Sequence, residues 1–369
     1  MSSTQTSRTR KKKPVWIVAG VLVAVAAVTS SYFWWNTDVL GAGSFCDGRL
    51  EGGDVRAALD STGRVSQVRS QVDSSRAEFT CTVERTSRFG GGDDQRITVK
   101  THSEEGAFPF TTAVWKKPAA RSYFKDGMTG AVSETRGYVV LPKSCWNKVG
   151  GIQGSRIVLE DEEEGAVATV EAVVEKGSAD RAGLARLLTR SARQAAEKAG
   201  CAASDRTGVP ALAEPDSSRA TDVQNVCGLP GFSLPKKAVL VGRAEPDREV
   251  VNGTGAHTWA CDMYLTGPEK AYLSFAMTTD ASFVEMAPKG VETFRALPGG
   301  KGVATTDEAV LKCKNNDVYF AARSSFEYDR ALKRAGRSAT AYVRVLKSTF
   351  QNFLDAAADT YSCPRVDLP

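Results

Sequence analysis

FTCTVER, residues 79–85, alternates apolar and polar residues and sets a cysteine in the middle of its apolar side. A period of two marks a half-buried strand, so Phe79, Cys81 and Val83 share one face. The pattern recurs at 259–265 as WACDMYL, where Trp259, Cys261, Met263 and Leu265 share a face. Each run meets a turn, GGGDD at 90–94 or TGPE at 266–269, and a second alternating run follows, RITVKT (96–101) or KAYLSFAMT (270–278). Two alternating runs joined by a Gly-rich connection predict a β-hairpin.

The cysteines extend this correspondence. Cys46, Cys81, Cys145 and Cys201 are 35, 64 and 56 positions apart, and Cys227, Cys261, Cys313 and Cys363 are 34, 52 and 50 apart. One four-cysteine module is used twice. The third cysteines follow the short apolar runs GYVVLPKSC and EAVLKC, both strand-like. The fourth end amphipathic stretches. Leu184, Leu187, Leu188, Ala192, Ala195 and Ala199 lie at helical spacing before Gly200, and Val343, Leu346, Phe350, Phe353, Ala357 and Tyr361 do so before Cys363. Asp180 and Ser338 stand where N-caps belong. The fold class is therefore α+β: in each module an antiparallel sheet is packed by a long C-terminal helix. The first module carries an extra hairpin signal, RIVLEDEEEGAVATVEAVVE at 156–175.

Boundaries follow from the same features: a basic tail (1–14), an apolar helix (15–35), a linker (36–45), modules at 46–201 and 227–363, and a C-terminal tail (364–369). The stretch 202–226, with two prolines, small polar residues and no periodicity, reads as a linker between modules. Four cysteines allow three pairings per module. The reading taken here is first-to-second and third-to-fourth, namely Cys46–Cys81, Cys145–Cys201, Cys227–Cys261 and Cys313–Cys363. Each bridge is worth about 2–4 kcal/mol.

The N-terminus suggests where such disulfides would form. VWIVAGVLVAVAAVTSSYFWW, residues 15–35, contains no charge. As a helix it would span about 31 Å, the thickness of a hydrocarbon core. Tyr32, Trp34 and Trp35 stand where aromatic rings meet the membrane–water interface, and Arg8, Arg10, Lys11, Lys12 and Lys13 precede the span. The positive-inside rule keeps that end in the cytoplasm, so the expectation is a single-pass plasma-membrane protein with extracellular modules. A signal peptide cut near Ala24-Val25-Ala26 is the competing reading; both put the modules where paired cysteines stay oxidised.

Composition narrows function mainly by exclusion. The net charge is +5 over 369 residues, and outside the five basic tail residues Lys plus Arg equals Asp plus Glu at 43 each. That gives no electrostatic case for nucleic acid. No cysteines form a close CxxC pair and only His102 and His257 are available, so no metal site or cofactor is expected. His102 falls just after a predicted strand and His257 just before one. Ser122–Lys125 and Ser233–Lys236 fit Ser-x-x-Lys, but they occupy non-equivalent places in the modules and lack companion motifs. The acidic run Glu160–Glu164 lacks calcium-loop spacing and reads as a solvated hairpin tip. LPGGKGVATT, 297–306, does not satisfy a phosphate-loop pattern, and Asn252-Gly253-Thr254, formally a glycosylation sequon, reads as a tight turn.

The basic tail, the apolar helix and the duplicated cysteine modules resemble exported, membrane-tethered proteins of unknown function from high-GC Gram-positive bacteria. The pattern of a cysteine, a short helix and a cysteine-bearing strand also looks like small envelope lipoproteins and sensor domains of that group, although the lipoprotein cysteine is missing. The resemblance implies location and fold style and brings no catalytic residues. The expected function is a non-enzymatic binding or interaction protein of the cell envelope. Its partners would be the bilayer, through 15–35, and an envelope protein or glycan. The alternative is an envelope-acting hydrolase whose catalytic residues no motif identifies.

Overall fold

A computed structural model describes residues 14–36, 41–60, 63–73, 75, 77–86, 94–105, 117–125, 127–150, 166–201, 211–253, 257–267, 271–289, 293–335 and 338–369. Helix α1 (Pro14–Asn36) is uncharged, and its described side chains, 18–31, are all exposed. Among the described residues no helix is long and apolar enough to cross a membrane. The spanning role read from 15–35 is therefore not part of the structure's description. The side chains of Tyr32, Trp34 and Trp35 and the whole basic tail lie outside the described residues.

The first module contains β1 (Ser44–Phe45), β2 (Leu50–Glu51), α2 (Gly52–Ala58), β3 (Arg64–Asp73), β4 (Glu78–Thr86), β5 (Gln95–Glu105), β6 (Ser122–Lys125), β7 (Thr129–Val132), β8 (Arg136–Val140), β9 (Ala166–Lys176) and α3 (Arg181–Lys198). The second contains β10 (Arg219–Ala220), β11 (Pro246–Asn252), β12 (Thr258–Leu265), β13 (Tyr272–Thr278), α4 (Ala281–Met286), β14 (Arg295–Ala296), β15 (Gly302–Ala304), β16 (Glu308–Lys312), β17 (Asp317–Ser324), α5 (Phe326–Arg334) and α6 (Ala339–Tyr361). The sheets run β3-β4-β5-β9-β8-β7-β6 and β10-β11-β12-β13-β17-β16-β15-β14. With β10 set aside, the two orders are the same, strand for strand. In both, the last strand inserts between the third and its predecessor, antiparallel to each neighbour.

The cysteine strands β4 and β12 lie just inside β3 and β11, toward one side of each sheet, with Cys81 opposite Val99 and Cys261 opposite Phe275. Their apolar faces pack beneath the helices. Leu184, Leu187, Leu188, Ala192 and Ala195 of α3 and Phe350, Phe353 and Ala357 of α6 are all buried. Val343, read as part of the α6 stripe, is exposed, and Val345 and Leu354 are buried instead. Asp180 caps α3 by accepting from Gly183 N, and Ser338 caps α6 by accepting from Ala341 N. Disulfides join Cys46 to Cys81, Cys145 to Cys201, Cys227 to Cys261 and Cys313 to Cys363, with Cα–Cα distances of 5.8, 5.4, 5.8 and 4.1 Å. These are the partners read from the sequence, and every bridge stays within its own module.

Two expectations need correction, and a third is described only in part. The described part of the supposed linker is a strap between the two sheets. Ala213 exchanges both backbone hydrogen bonds with Tyr123 at the β6 edge, Asp216 N donates to Val251 O, and β10 pairs with β11. Unmet edge donors and acceptors gave the polar stretch partners that hydrophobic periodicity does not reveal. The extra hairpin signal contributes one described strand, β9, and its first arm and the run 160–164 lie outside the described residues. His102 lies within β5 rather than beyond it, since the strand continues to Glu105 to pair with β9.

The first turn of α3 abuts the end of α2. A Cβ on Gly183 would lie 2.2 Å from Ala57 O, and Asp180 N donates to Ala58 O. Replacing a helical glycine by alanine ordinarily stabilises by about 1 kcal/mol. Here the neighbour is backbone, which yields little. Gly183→Ala is expected to destabilise the protein by about 1–3 kcal/mol in urea unfolding, and a stabilised variant would refute this close packing.

Candidate functional site

The richest cluster of buried polar chemistry lies in the seam between the modules. Adjacent strand residues point to opposite faces, so Asp262 lies on the face of β12 away from α6, together with Ala260. That face is covered by the 3-10 turn Pro118–Ala120 of the first module. Asp262 accepts from Ala119 N at 3.2 Å and from the Ser274 hydroxyl. Asn252, at the end of β11, donates to Arg121 O across the seam. The Arg121 guanidinium lies 5.7 Å from the centre of the Tyr138 ring. In the reverse direction Asp280 caps α4 and accepts from Thr129 Oγ1, with Lys125 Nζ at 3.7 Å.

Burial sets the electrostatics of this cluster. It pushes the Asp262 carboxyl up to about 6 against the opposing pull of its hydrogen bonds and of Lys117 and Arg121. It raises the Tyr123 and Tyr138 phenols and lowers Arg121. Asp262 has no exposed surface. The cluster is closed to substrate and joins the modules.

An open cleft of about 570 Å³ lies at the start of α3, lined by Asp60, Gln95, Glu134, Asp180, Arg181 and Glu214 among others. Arg181 lies 3.0 Å from Glu214 and 3.7 Å from Glu134 and donates to Ser122 Oγ at 3.1 Å. Four carboxylates against one guanidinium give the cleft acidic character, suited to a cationic or hydroxyl-rich group.

The residues singled out in the sequence do not converge there as a catalytic set. Ser122 is fully buried and donates to Glu214 at 2.7 Å, while Lys125 reaches toward Asp280. Ser-x-x-Lys chemistry needs a helix to bring positions three apart together. Both residues lie in β6, where that spacing points them to opposite faces. Ser233 lies in a loop whose carbonyl accepts from Asn352. His102 is half-buried, and burial lowers its pKa; His257 lies beside Thr279, its Nδ1 3.3 Å from the hydroxyl. Residues 298–300 form a 3-10 turn leading into β15. The Asn252 side chain is buried in the seam, which removes it as a glycan acceptor. Cys227, Glu249 and Cys261 converge, but both sulfurs are spent in a disulfide, and Glu249 instead accepts from Cys227 N at 2.8 Å and pairs with Arg219. Asp262 carried one legible signal, a carboxylate in a strand otherwise rich in apolar residues, whereas Asn252 ends the charged strand β11 and carried none.

Compared with known proteins, the chain matches no family model, no curated protein and no solved structure.

The Asp262 environment makes a signed prediction. A carboxyl whose folded pKa is raised favours folding fully below its unfolded pKa, near 4, and loses that contribution as pH rises through about 6. Asp262→Asn can keep both hydrogen bonds by accepting from Ala119 N and donating to Ser274. The variant's stability relative to wild type is therefore expected to rise from pH 4 to pH 7, by at most about 3 kcal/mol. Urea unfolding of both proteins at the two pH values measures it, and a difference independent of pH would contradict this assignment.

Proposed function

We propose that the protein is a membrane-tethered, extracytoplasmic binding or interaction protein of the cell envelope, without catalytic activity of its own. The observation that carries the reading is an exposed apolar helix preceding a body in which all eight cysteines are closed in disulfides. Val18, Val21, Leu22, Val23, Val25 and Val28 all present apolar side chains outward. A soluble chain hides such a surface, and the uncharged sequence 15–35, were all of it in the bilayer, would span about 31 Å, the thickness of a hydrocarbon core. Closed disulfides suit an oxidising compartment, and with the basic tail ahead of the helix the modules would face outward. Ser122, the serine of one Ser-x-x-Lys pair, is buried while its Lys125 reaches toward Asp280, which favours binding over hydrolysis at that motif. The acidic cleft beside α3 is the natural place for a small cationic or hydroxyl-rich group, and the wider surface for a protein or glycan.

Two measurements test this. Alkaline carbonate should leave the full-length protein in the membrane pellet, and external protease should cut the modules while sparing a tag on the N-terminus; release by carbonate would refute the anchor. Crosslinking in native membranes should enrich an envelope component relative to the same anchor carrying an unrelated disulfide-bonded domain. Failure to enrich any component would refute the interaction role.

A further inference from the structure

Gln95 opens β5 and lines the acidic cleft at the start of α3, yet it is only 8% exposed. Its Nε2 donates to Ser178 O at 2.5 Å, which fixes the amide, and its Oε1 is left buried without a hydrogen-bond partner. A buried carbonyl oxygen with no donor is rare in a folded chain and calls for a donor from outside it. The rest of the lining is also rich in acceptors. Asp60 beyond α2, Glu134 in the turn between β7 and β8, Asp180 at the head of α3 and Glu214 on the strap share the cleft with a single cation, Arg181. Four carboxylates against one guanidinium leave three negative charges unopposed. The backbone that carries them is fixed before any ligand arrives: Glu134 O accepts from Ala179 N, Asp180 N donates to Ala58 O, and Ala213, next to Glu214, exchanges both backbone bonds with Tyr123.

Charge and spacing select among ligands. A neutral hydroxyl-rich group could donate to Gln95 Oε1 but would leave the three negative charges unopposed. A single metal ion would oppose them, but it needs oxygens gathered round one point. Among the described residues no three of these carboxylates bring oxygens within 4.8 Å of one another. The charges are spread instead over a cleft of about 570 Å³, whose lining also includes the apolar side chains of Leu212 and Ala179. Separated carboxylates together with apolar lining fit ammonium groups spaced along an alkyl chain. An ammonium has three donors and no acceptor, so one group can serve Gln95 Oε1 and a carboxylate at once.

We infer that the cleft binds a linear polyamine, its ammonium groups held by Asp60, Glu134, Asp180 and Gln95 Oε1 and its methylenes lying on Leu212 and Ala179. The inference rests on the binding role proposed above and narrows it to one ligand class at one place. Spermidine titrated calorimetrically into full-length protein in detergent, at physiological ionic strength, should show one saturable site per chain. Asp60→Asn and Glu134→Gln should each weaken it several-fold, and Gln95→Leu by about tenfold. Asp359→Asn, which removes the same charge from an exposed position on α6, should leave it unchanged. Absence of saturable binding would overturn the inference. Displacement of spermidine by magnesium at equal concentration of charge would also overturn it, as would equal weakening by Asp359→Asn, since either marks a diffuse counterion atmosphere. If Gln95→Leu does not fold, Asp60→Asn, at an exposed residue, still decides. A protein that stays in carbonate-washed membranes and crosslinks to an envelope component yet ignores spermidine would sink this inference alone. One that binds spermidine but is released by carbonate would sink only the anchor.

Discussion

The structure depends on the second sheet being buried on both faces. An antiparallel sheet ordinarily leaves one face to water. Here Trp259, Cys261, Met263 and Phe275 lie under α6 while Ala260, Ala276 and Ala321 belong to the same apolar cluster as the core of the first module. Small side chains on that second face let the neighbour approach closely. The equivalent positions of the first sheet are filled differently: Thr82 and Thr98, 2.8 Å apart, stand where Asp262 and Ser274 stand in the second, and Lys100 and Glu171 form an ion pair nearby. Duplication produced two copies of one fold, and divergence on one face made the second copy depend on the first.

That dependence accounts for the polar residues in the seam. Asp262 and Asn252 are buried by contact with the other module, so their partners must come from it: Ala119 N for one, Arg121 O for the other. Unpaired, each would cost about 1–3 kcal/mol. The reverse contacts, with Phe283 and Met286 of α4 in the first module's cluster and Asp280 beneath Thr129, make the exchange mutual. The strap through Ala213 and Asp216 then stitches the adjoining edges.

Much of each module was legible because it is local. Alternation marked the cysteine strands, helical spacing marked α3 and α6, and Asp180 and Ser338 cap them as a sequence reader expects. Cysteine spacing conveyed the duplication and the pairing. The union of the modules was not legible. WACDMYL reads as a strand with Ala260, Asp262 and Tyr264 outward, and nothing in the string says that this outward face meets another module. The strap looked like a linker because its order comes from backbone partners on two sheets. The Ser-x-x-Lys motif at Ser122 dissolved once its host proved to be a strand. The acidic cleft was unreadable for a related reason: Asp60, Glu134 and Glu214 are far apart in sequence and gather only when the strap docks beside α3.

The central claim is that the two modules form one body through the seam. It is tested most directly by cutting the chain within residues 202–210 at an introduced protease site, under non-denaturing conditions. No disulfide crosses that cut, since every bridge lies within one module. The account predicts that the halves remain associated after cleavage and separate only on denaturation. Halves that part in native buffer, each still folded, would contradict it.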